Sequence, residues 1–129
     1  MEGRTRRWRP EELAAVDAAV ELEIAVRRAD GTLRARTPVW VVRVGDQVLV
    51  RSWFRRATGW FGAALRSRRA QVRLPGLDAE VAVEDLGDAD PALAAAVDAA
   101  YRARYGAGAR SMVTPEAAAT TLRLTPLDG

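Results

Sequence analysis

The sequence contains no cysteine and no histidine, and all of its basic residues are arginine. Without cysteine, the chain has no disulfide framework, no thiolate nucleophile and no cysteine metal ligand. The absence of histidine also excludes the usual Ser-His-Asp and Cys-His catalytic systems, and it disfavours a transition-metal site because carboxylates alone prefer hard ions. Any chemistry must therefore rest on carboxylates or on a bound cofactor, and no metal site is predicted.

Long apolar runs are missing as well. No run approaches the roughly 20 residues of a membrane-spanning helix. The first residues are basic and lead into acids rather than into an apolar segment, unlike a secretory signal. We therefore expect a cytoplasmic protein without membrane contact. The length of 129 residues and the 49% hydrophobic content fit a single domain over residues 1–129, with residues 1–9 flexible.

Acidic residues are absent from Gln47 to Leu77, whereas seven arginines fall within the same stretch. The local charge there is +7, and because the whole chain carries +3, the remaining residues sum to −4. Such segregation produces a local field that attracts an anion, which could be a cofactor phosphate, a carboxylate or a nucleic-acid backbone.

Alternating apolar residues predict β-structure in the first half of the chain. Pro10 opens a helix, and a period of two from Val20 to Val26 predicts a strand whose inward face carries Val20, Leu22, Ile24 and Val26. An Asp-Gly pair then predicts a hairpin in which Leu33 to Val44 returns antiparallel. Pro38 cannot donate a ladder hydrogen bond, so this second strand is expected to be an edge strand or to be bulged there.

The second half of the chain has the same mixture of short strands and helices. A helix is predicted within Trp53 to Arg69, and another begins at Pro91 and ends at Gly106. The second of these helices places Tyr101 and Tyr105 on one apolar face, which predicts that both belong to the core. Further strands are predicted at Gln47–Ser52, Gln71–Leu74, Val81–Val83 and Thr120–Leu124. About six strands and three helices, joined mostly by hairpins, favour a small antiparallel barrel because hairpins need no crossover helix.

Several local motifs span nearly the whole chain. They are the Asp-Gly hairpin after the acidic helix, the strands PVWVVRV and VLVRS, Trp60 in GWFGAA, the run AYRARYG, and TTLRL near the end. Together they resemble an uncharacterised bacterial family, DUF2255, within the flavin-binding split-barrel group, which also holds pyridoxamine phosphate oxidases and deazaflavin-dependent nitroreductases. The resemblance implies a mainly β fold with flanking helices, that is, a small antiparallel split β-barrel.

The resemblance also implies a site. In cofactor-binding split barrels, two hairpin strands supply Arg, Thr and Ser contacts to the cofactor phosphate and backbone contacts to its ring. Arg51 and Ser52 are interpreted as a phosphate clamp, with a solvated strand end as the alternative. Trp40 and Trp60 could line the ring pocket, as aromatic side chains commonly do, or could belong to the core. The residues that the resemblance places near a cofactor are Arg36, Thr37, Pro38, Val39, Arg51 and Ser52.

The implied function is the binding of flavin mononucleotide (FMN) or a deazaflavin, with the alternative that the protein holds no cofactor. If the protein is catalytic, it would be a small oxidoreductase, because the cofactor supplies hydride transfer and the protein supplies shape and electrostatics.

Two other classes remain open on the sequence. The aromatic residues among the arginines could stack on the bases of a single-stranded nucleic acid, although a net charge of +3 is modest for that role. Alternatively, the Trp-rich hairpin could be the interface of a homodimer or an interaction module, because tryptophan and arginine are enriched at interfaces. In that reading the interface would include Trp53 and Trp60.

Overall fold

A computed structural model describes residues 4–52, 59–87 and 90–128. Within these ranges the helices are α1 (Pro10–Ala18), α2 (Gly59–Ser67), α3 (Pro91–Tyr105) and α4 (Pro115–Ala118), and a 3-10 helix covers Gly106–Met112. The strands are β1 (Leu22–Ala25), β2 (Thr37–Val39), β3 (Val41–Val44), β4 (Gln47–Val50), β5 (Arg69–Leu74), β6 (Leu77–Asp85) and β7 (Leu122–Pro126).

The seven strands form one antiparallel sheet in the order β2-β1-β5-β6-β7-β4-β3. The first and last strands of this order are consecutive in the chain, and only Trp40 separates them. The sheet must therefore curl until its two edges meet, which makes a nearly closed barrel with the helices outside it. We call the junction of the two edges at Trp40 the seam.

The predicted fold class is confirmed, but the strand count of six was wrong. The segment Leu33 to Val44 was expected to be one strand, whereas its two halves pair with different neighbours. Pro38 lies in β2 opposite Glu23 and is exposed. Since β2 ends the sheet order, this proline occupies an edge position, one of the two places where its missing N–H is tolerated.

The Asp-Gly turn predicted from the sequence is present in the structure. Gly31 adopts a φ of 88°, and Oδ1 of Asp30 accepts hydrogen bonds from the backbone N–H and the hydroxyl of Thr32. Gly45, with a φ of 60°, turns β3 into β4. Glycine has no Cβ, so it enters this left-handed region without steric cost.

The helix ends follow known capping rules. In α1, the Glu12 carboxylate accepts from the Arg9 N–H at 2.8 Å and pairs with Arg6 at 2.8 Å. The hydrogen bond from Arg6 and the N–H of Arg9 lower the pKa of Glu12.

The expectation that Val20 faces inward was wrong, because this residue follows α1, lies outside β1 and is 75% exposed.

Residues 4–9, which the sequence assigned to a loose segment, lie against β7. Trp8 is buried, and its indole N–H donates to the carbonyl of Leu124 at 3.0 Å. A β-bridge also joins Thr5 to Leu127. No helix among the described residues is long and apolar enough to cross a membrane.

Two apolar clusters hold the molecule together. The larger fills the barrel and includes Ile24, Val41, Val50, Phe61, Val72, Val81 and Leu124. The smaller lies between the outer face of β3–β4 and α3, and contains Val42, Leu49, Val97, Tyr101, Ala109 and Met112. The β3–β4 hairpin is therefore covered on both faces, which explains why its sequence is almost continuously apolar.

Candidate functional site

A cavity of about 350 Å³ opens at the seam. We call it the seam cavity. Its walls come from β2, the seam itself, the chain just after β4, the first turn of α2 and the end of the 3-10 helix. The lining residues are Glu21, Thr37, Pro38, Val39, Trp40, Arg51, Ser52, Trp60, Ser111 and Met112. Seven of the eight residues predicted from the sequence therefore surround one cavity, and Arg36 is the exception.

The cavity exists at this position because a tyrosine hydroxyl interrupts the β3–β4 ladder. The register pairs Val41 with Val50, so Trp40 and Arg51 would form the next pair. Instead, the Tyr101 hydroxyl lies between them, accepting from the Arg51 N–H at 3.0 Å and donating to the Trp40 carbonyl at 2.9 Å. The hydroxyl satisfies both backbone groups while holding the two strands apart. Because Tyr101 is buried, its pKa is raised and the hydroxyl stays protonated.

A second tyrosine fixes the aromatic wall of the cavity. The ring of Tyr105 stacks on the indole of Trp40, with centroids 4.3 Å apart and planes within 6°. Its hydroxyl contacts the N–H of Val41 at 3.2 Å and the carbonyl of Val20 at 2.8 Å. A Cβ added at Gly108 would lie 3.3 Å from Cη2 of Trp40. The indole is therefore held between its neighbours in one orientation.

Arg51 lines the cavity, but its guanidinium forms hydrogen bonds within the protein. The side chain has no exposed surface and pairs with the Asp98 carboxylate at 2.5 Å. It also donates to the Met112 carbonyl at 2.8 Å and to the Thr121 hydroxyl at 2.9 Å, and Nη2 lies 3.3 Å from the carbonyl of Ala94. Four of the five N–H donors of a guanidinium are therefore directed to the protein.

Asp98 pairs with Arg51 and not with a residue of its own helix. Its spacing from Arg102 on α3 is that of a surface ion pair, yet its carboxylate meets Arg51. A buried guanidinium without a counter-charge would be costly. Asp98 therefore pairs with Arg51 rather than with Arg102.

Some hydroxyl groups near the cavity bind the protein backbone, and others have no partner among the described residues. The backbone N–H and carbonyl of Ser52 are both bound to the hydroxyl of Thr120, at 2.8 and 3.0 Å, which anchors the chain after β4. In contrast, the hydroxyls of Thr37 and Ser111 have no hydrogen-bond partner in the described parts of the chain. These two hydroxyls are available to a ligand.

Arg36 lies outside the lining set and binds a different part of the barrel. Its Nη2 donates to Oε1 of Gln71 at 2.9 Å, on β5. Its Nη1 is buried and has no hydrogen-bond partner among the described residues.

The acid-free stretch does not form one uniform basic surface. Arg51 pairs with Asp98 and Arg73 pairs with Asp78, so carboxylates from outside the stretch neutralise two of its cations. Phe61 is 1% exposed and belongs to the barrel core, so its ring cannot stack on a base. The predicted contributions of residues 53–56 lie outside the described residues.

Sequence reasoning missed the residues that reach the cavity from distant segments. Glu21, Ser111 and Met112 line it, and Tyr101 shapes it, but no local pattern connects them with β2 and β4. The face shared by Tyr101 and Tyr105 correctly indicated packing, while the role of their hydroxyls had no sequence signal. Among the described residues, no group of three acidic side chains is placed to hold a metal ion.

Comparison with solved structures identifies the class of fold. The chain is similar to the conserved hypothetical protein Rv2991 from Mycobacterium tuberculosis, with a TM-score of 0.61, 13% identity, and coverage of 98% of this chain and 85% of that one. For an F420 reductase the TM-score is 0.55 at 15% identity, covering 90% and 92%. For the FAD and heme binding protein from Mycobacterium smegmatis it is 0.51 at 19% identity, covering 97% and 68%. At these identities the likeness concerns the fold, which is a split barrel.

The family is established by a separate match. The model of the family described as "Uncharacterized protein conserved in bacteria (DUF2255)" matches residues 12–124. The chain therefore belongs to the DUF2255 family, as its motifs indicated. No curated protein matches the chain.

Proposed function

We propose that this protein binds a flavin-type cofactor, FMN or a deazaflavin, in the seam cavity. The observation that carries the proposal is the convergence of Thr37–Val39, Trp40, Arg51, Ser52 and Trp60 on one hollow. Two proteins with the same fold are named for F420 and FAD, which supports a cofactor of this class.

The lining suits a ring with a polar tail. The cavity volume of about 350 Å³ falls within the usual range for ligand pockets, about 300–1,000 Å³. Trp40, Trp60 and Val39 offer apolar surface to a ring system, and the backbone of edge strand β2 offers polar groups beside it. The hydroxyls of Thr37 and Ser111 would bind the polar part of the cofactor.

The role proposed for Arg51 changes with the geometry. The sequence suggested a direct phosphate clamp, but the hydrogen bonds of its guanidinium go largely to the protein. We infer that Arg51 positions the chain after β4 and that Thr37 and Ser111 provide the direct polar contacts. Under this proposal, cofactor affinity depends mainly on the ring and on these two hydroxyls.

A bound flavin would supply hydride transfer, making the protein a small oxidoreductase. The residues that line the cavity contribute shape, an aromatic wall and hydroxyl donors. Among the described lining residues, Glu21 is the single carboxylate, and it is exposed. The proposed activity therefore needs no side-chain nucleophile.

The test is a titration of the purified protein with FMN and with a deazaflavin, followed by visible absorbance and fluorescence quenching. The variant Thr37→Val/Ser111→Ala removes the two unpartnered hydroxyls. At about 1 kcal/mol for each lost hydrogen bond, affinity should fall about ten- to thirty-fold. Thr125→Val, on the outer face of β7, is the matched control and should bind like the parent.

The two arms of the titration identify the cofactor. Binding of one compound and not the other selects between FMN and the deazaflavin. Absence of binding to both would disprove the proposal, and equal affinity of the double variant and the parent would disprove the polar contacts assigned to the two hydroxyls.

A further inference from the structure

A second cavity, of about 420 Å³, lies beside the C-terminal half of α2, whereas Trp60 in the first turn of the same helix faces the seam cavity. We call it the arginine cavity. It is formed between that helix and the turn that joins β1 to β2. Its lining residues are Arg27, Arg28, Ala29, Arg34, Ala63, Arg66 and Ser67. Four of these seven carry a guanidinium, and none carries a carboxylate.

Two of the four arginines are held by the fold. Arg27 donates to the carbonyl of Gly31 at 2.9 Å and lies 3.4 Å from Oε1 of Glu80. Arg28 donates to the carbonyl of Leu33 at 3.1 Å. These contacts brace the β1–β2 turn, so the two cations are fixed in position.

The other two arginines make no such contacts. Neither the guanidinium of Arg34 nor that of Arg66 has a partner in the described residues. Arg66 lies in the last turn of α2, where the helix dipole attracts a cation without any ligand. That explanation does not extend to Arg34, which comes from the opposite wall.

The nearby carboxylates offset only part of this positive charge. Glu80 contacts Arg27, and Oδ1 of Asp30 accepts hydrogen bonds from the backbone and the hydroxyl of Thr32. Among the described residues, four cations therefore face two carboxylates, and the guanidinium groups of Arg34 and Arg66 contact neither of them. Like charges that converge around a hollow repel one another and concentrate positive potential in it, a cost that a bound anion would offset.

We propose that the arginine cavity binds a compact multivalent anion, namely the diphosphate group of a small molecule. Guanidinium groups match phosphate oxygens in geometry and remain charged at all physiological pH values. None of the described lining residues is aromatic, so these residues offer no stacking platform for a base. This site is separate from the seam cavity and does not depend on the cofactor proposed there.

The experiment is a calorimetric titration of the full chain with inorganic pyrophosphate at low ionic strength. Orthophosphate and a single-stranded oligonucleotide provide the comparison arms. The variant Arg34→Gln/Arg66→Gln removes the two unpartnered cations without breaking a contact of the fold. We expect pyrophosphate to bind more tightly than orthophosphate, and the double variant to weaken pyrophosphate binding about tenfold or more.

The matched control is Arg102→Gln/Arg110→Gln, which lowers the net charge equally but changes exposed residues on α3 and the 3-10 helix. This control should bind pyrophosphate like the parent. Equal weakening in both variants would show a general charge effect and overturn the proposal, as would no binding of pyrophosphate. Tighter binding of the oligonucleotide, lost in the Arg34/Arg66 variant, would replace the small-molecule ligand by a nucleic-acid backbone. Flavin binding should be unaffected by either variant, so the two proposals fail independently.

Discussion

The two cavities use arginine in opposite ways. Beside the seam cavity, Arg51 has no exposed surface and is bound to Asp98 and to other oxygens of the protein. In the arginine cavity, Arg34 and Arg66 have no partner among the described residues. A guanidinium surrounded by protein acceptors stabilises the fold, whereas one that faces a hollow without acceptors is available to a ligand.

This contrast reverses the assignment that the sequence favoured. Arg51 was predicted to bind phosphate because it lies beside a serine at the end of the predicted strand Gln47–Ser52, and because the family resemblance places it near a cofactor. The arginines of the second cavity carry no comparable sequence signal, since a surface arginine near a helix end or turn is common. The partners of each guanidinium, rather than its position in a motif, separate the two roles.

The largest effect should come from breaking the buried pair. Asp98→Ala leaves Arg51 without its counter-charge inside the protein, which typically costs about 3–5 kcal/mol. Asp98 is 26% exposed, so we expect about 2–4 kcal/mol in urea unfolding. The paired replacement Arg51→Met/Asp98→Leu should recover much of the loss, because it leaves no unpaired charge. A single variant as stable as the parent would show that the pair is not structural.

Removing the hydroxyl at the seam should have the next largest effect. Tyr101→Phe leaves the Arg51 N–H and the Trp40 carbonyl without their shared partner. An unsatisfied buried group costs about 1–3 kcal/mol, and the strands could recover part of this by moving together. Denaturant unfolding would measure the loss, and Tyr105→Phe is a related variant at a half-buried position. A loss below about 0.5 kcal/mol would contradict the role assigned to the hydroxyl.

The same tyrosine predicts a dependence on alkaline pH. Burial raises the pKa of Tyr101 above its ordinary value of 10.0. The stabilisation is therefore complete below pH 10 and is lost as the pH rises above it, because the unfolded chain releases the proton first. Denaturation midpoints measured across this range should fall more steeply for the parent than for Tyr101→Phe. Parallel curves would contradict the prediction.

A smaller effect is expected from crowding the aromatic wall. Gly108→Ala would place a methyl group 3.3 Å from Cη2 of Trp40, closer than ordinary contact. We expect a destabilisation of about 1 kcal/mol, the low end for overpacking, together with weaker flavin binding because the indole must shift. Thermal unfolding and the flavin titration would measure these two effects. Unchanged affinity would indicate that the indole is not part of the binding surface.

The smallest effect on stability is expected from substitutions in the arginine cavity. Because the guanidinium groups of Arg34 and Arg66 have no polar partner among the described residues, Arg34→Gln/Arg66→Gln should change stability by no more than about 0.5 kcal/mol. Relief of like-charge repulsion could make the variant slightly more stable at low salt. A loss of more than about 1 kcal/mol in denaturant unfolding would show that these arginines serve the fold, as Arg51 does.

The sequence by itself determined the class of fold and most of the walls of the seam cavity. Hairpin turns at Asp30-Gly31 and Gly45, alternating apolar strands and a proline at an edge are local signals, because each depends on the backbone conformations open to one or two residues. The resemblance to the split-barrel group, rather than these local signals, implied that residues 37–39 and residues 51–52 lie near one another.

Only the tertiary structure decided how the barrel closes and which cations remain unpaired. The division of one apolar run into β2 and β3 depends on the two edges of the sheet meeting at Trp40. The engagement of Arg51 depends on Asp98, which lies 47 residues further along the chain. Contacts between residues so far apart leave no periodic trace in sequence, because each is set by the packing of whole elements against one another.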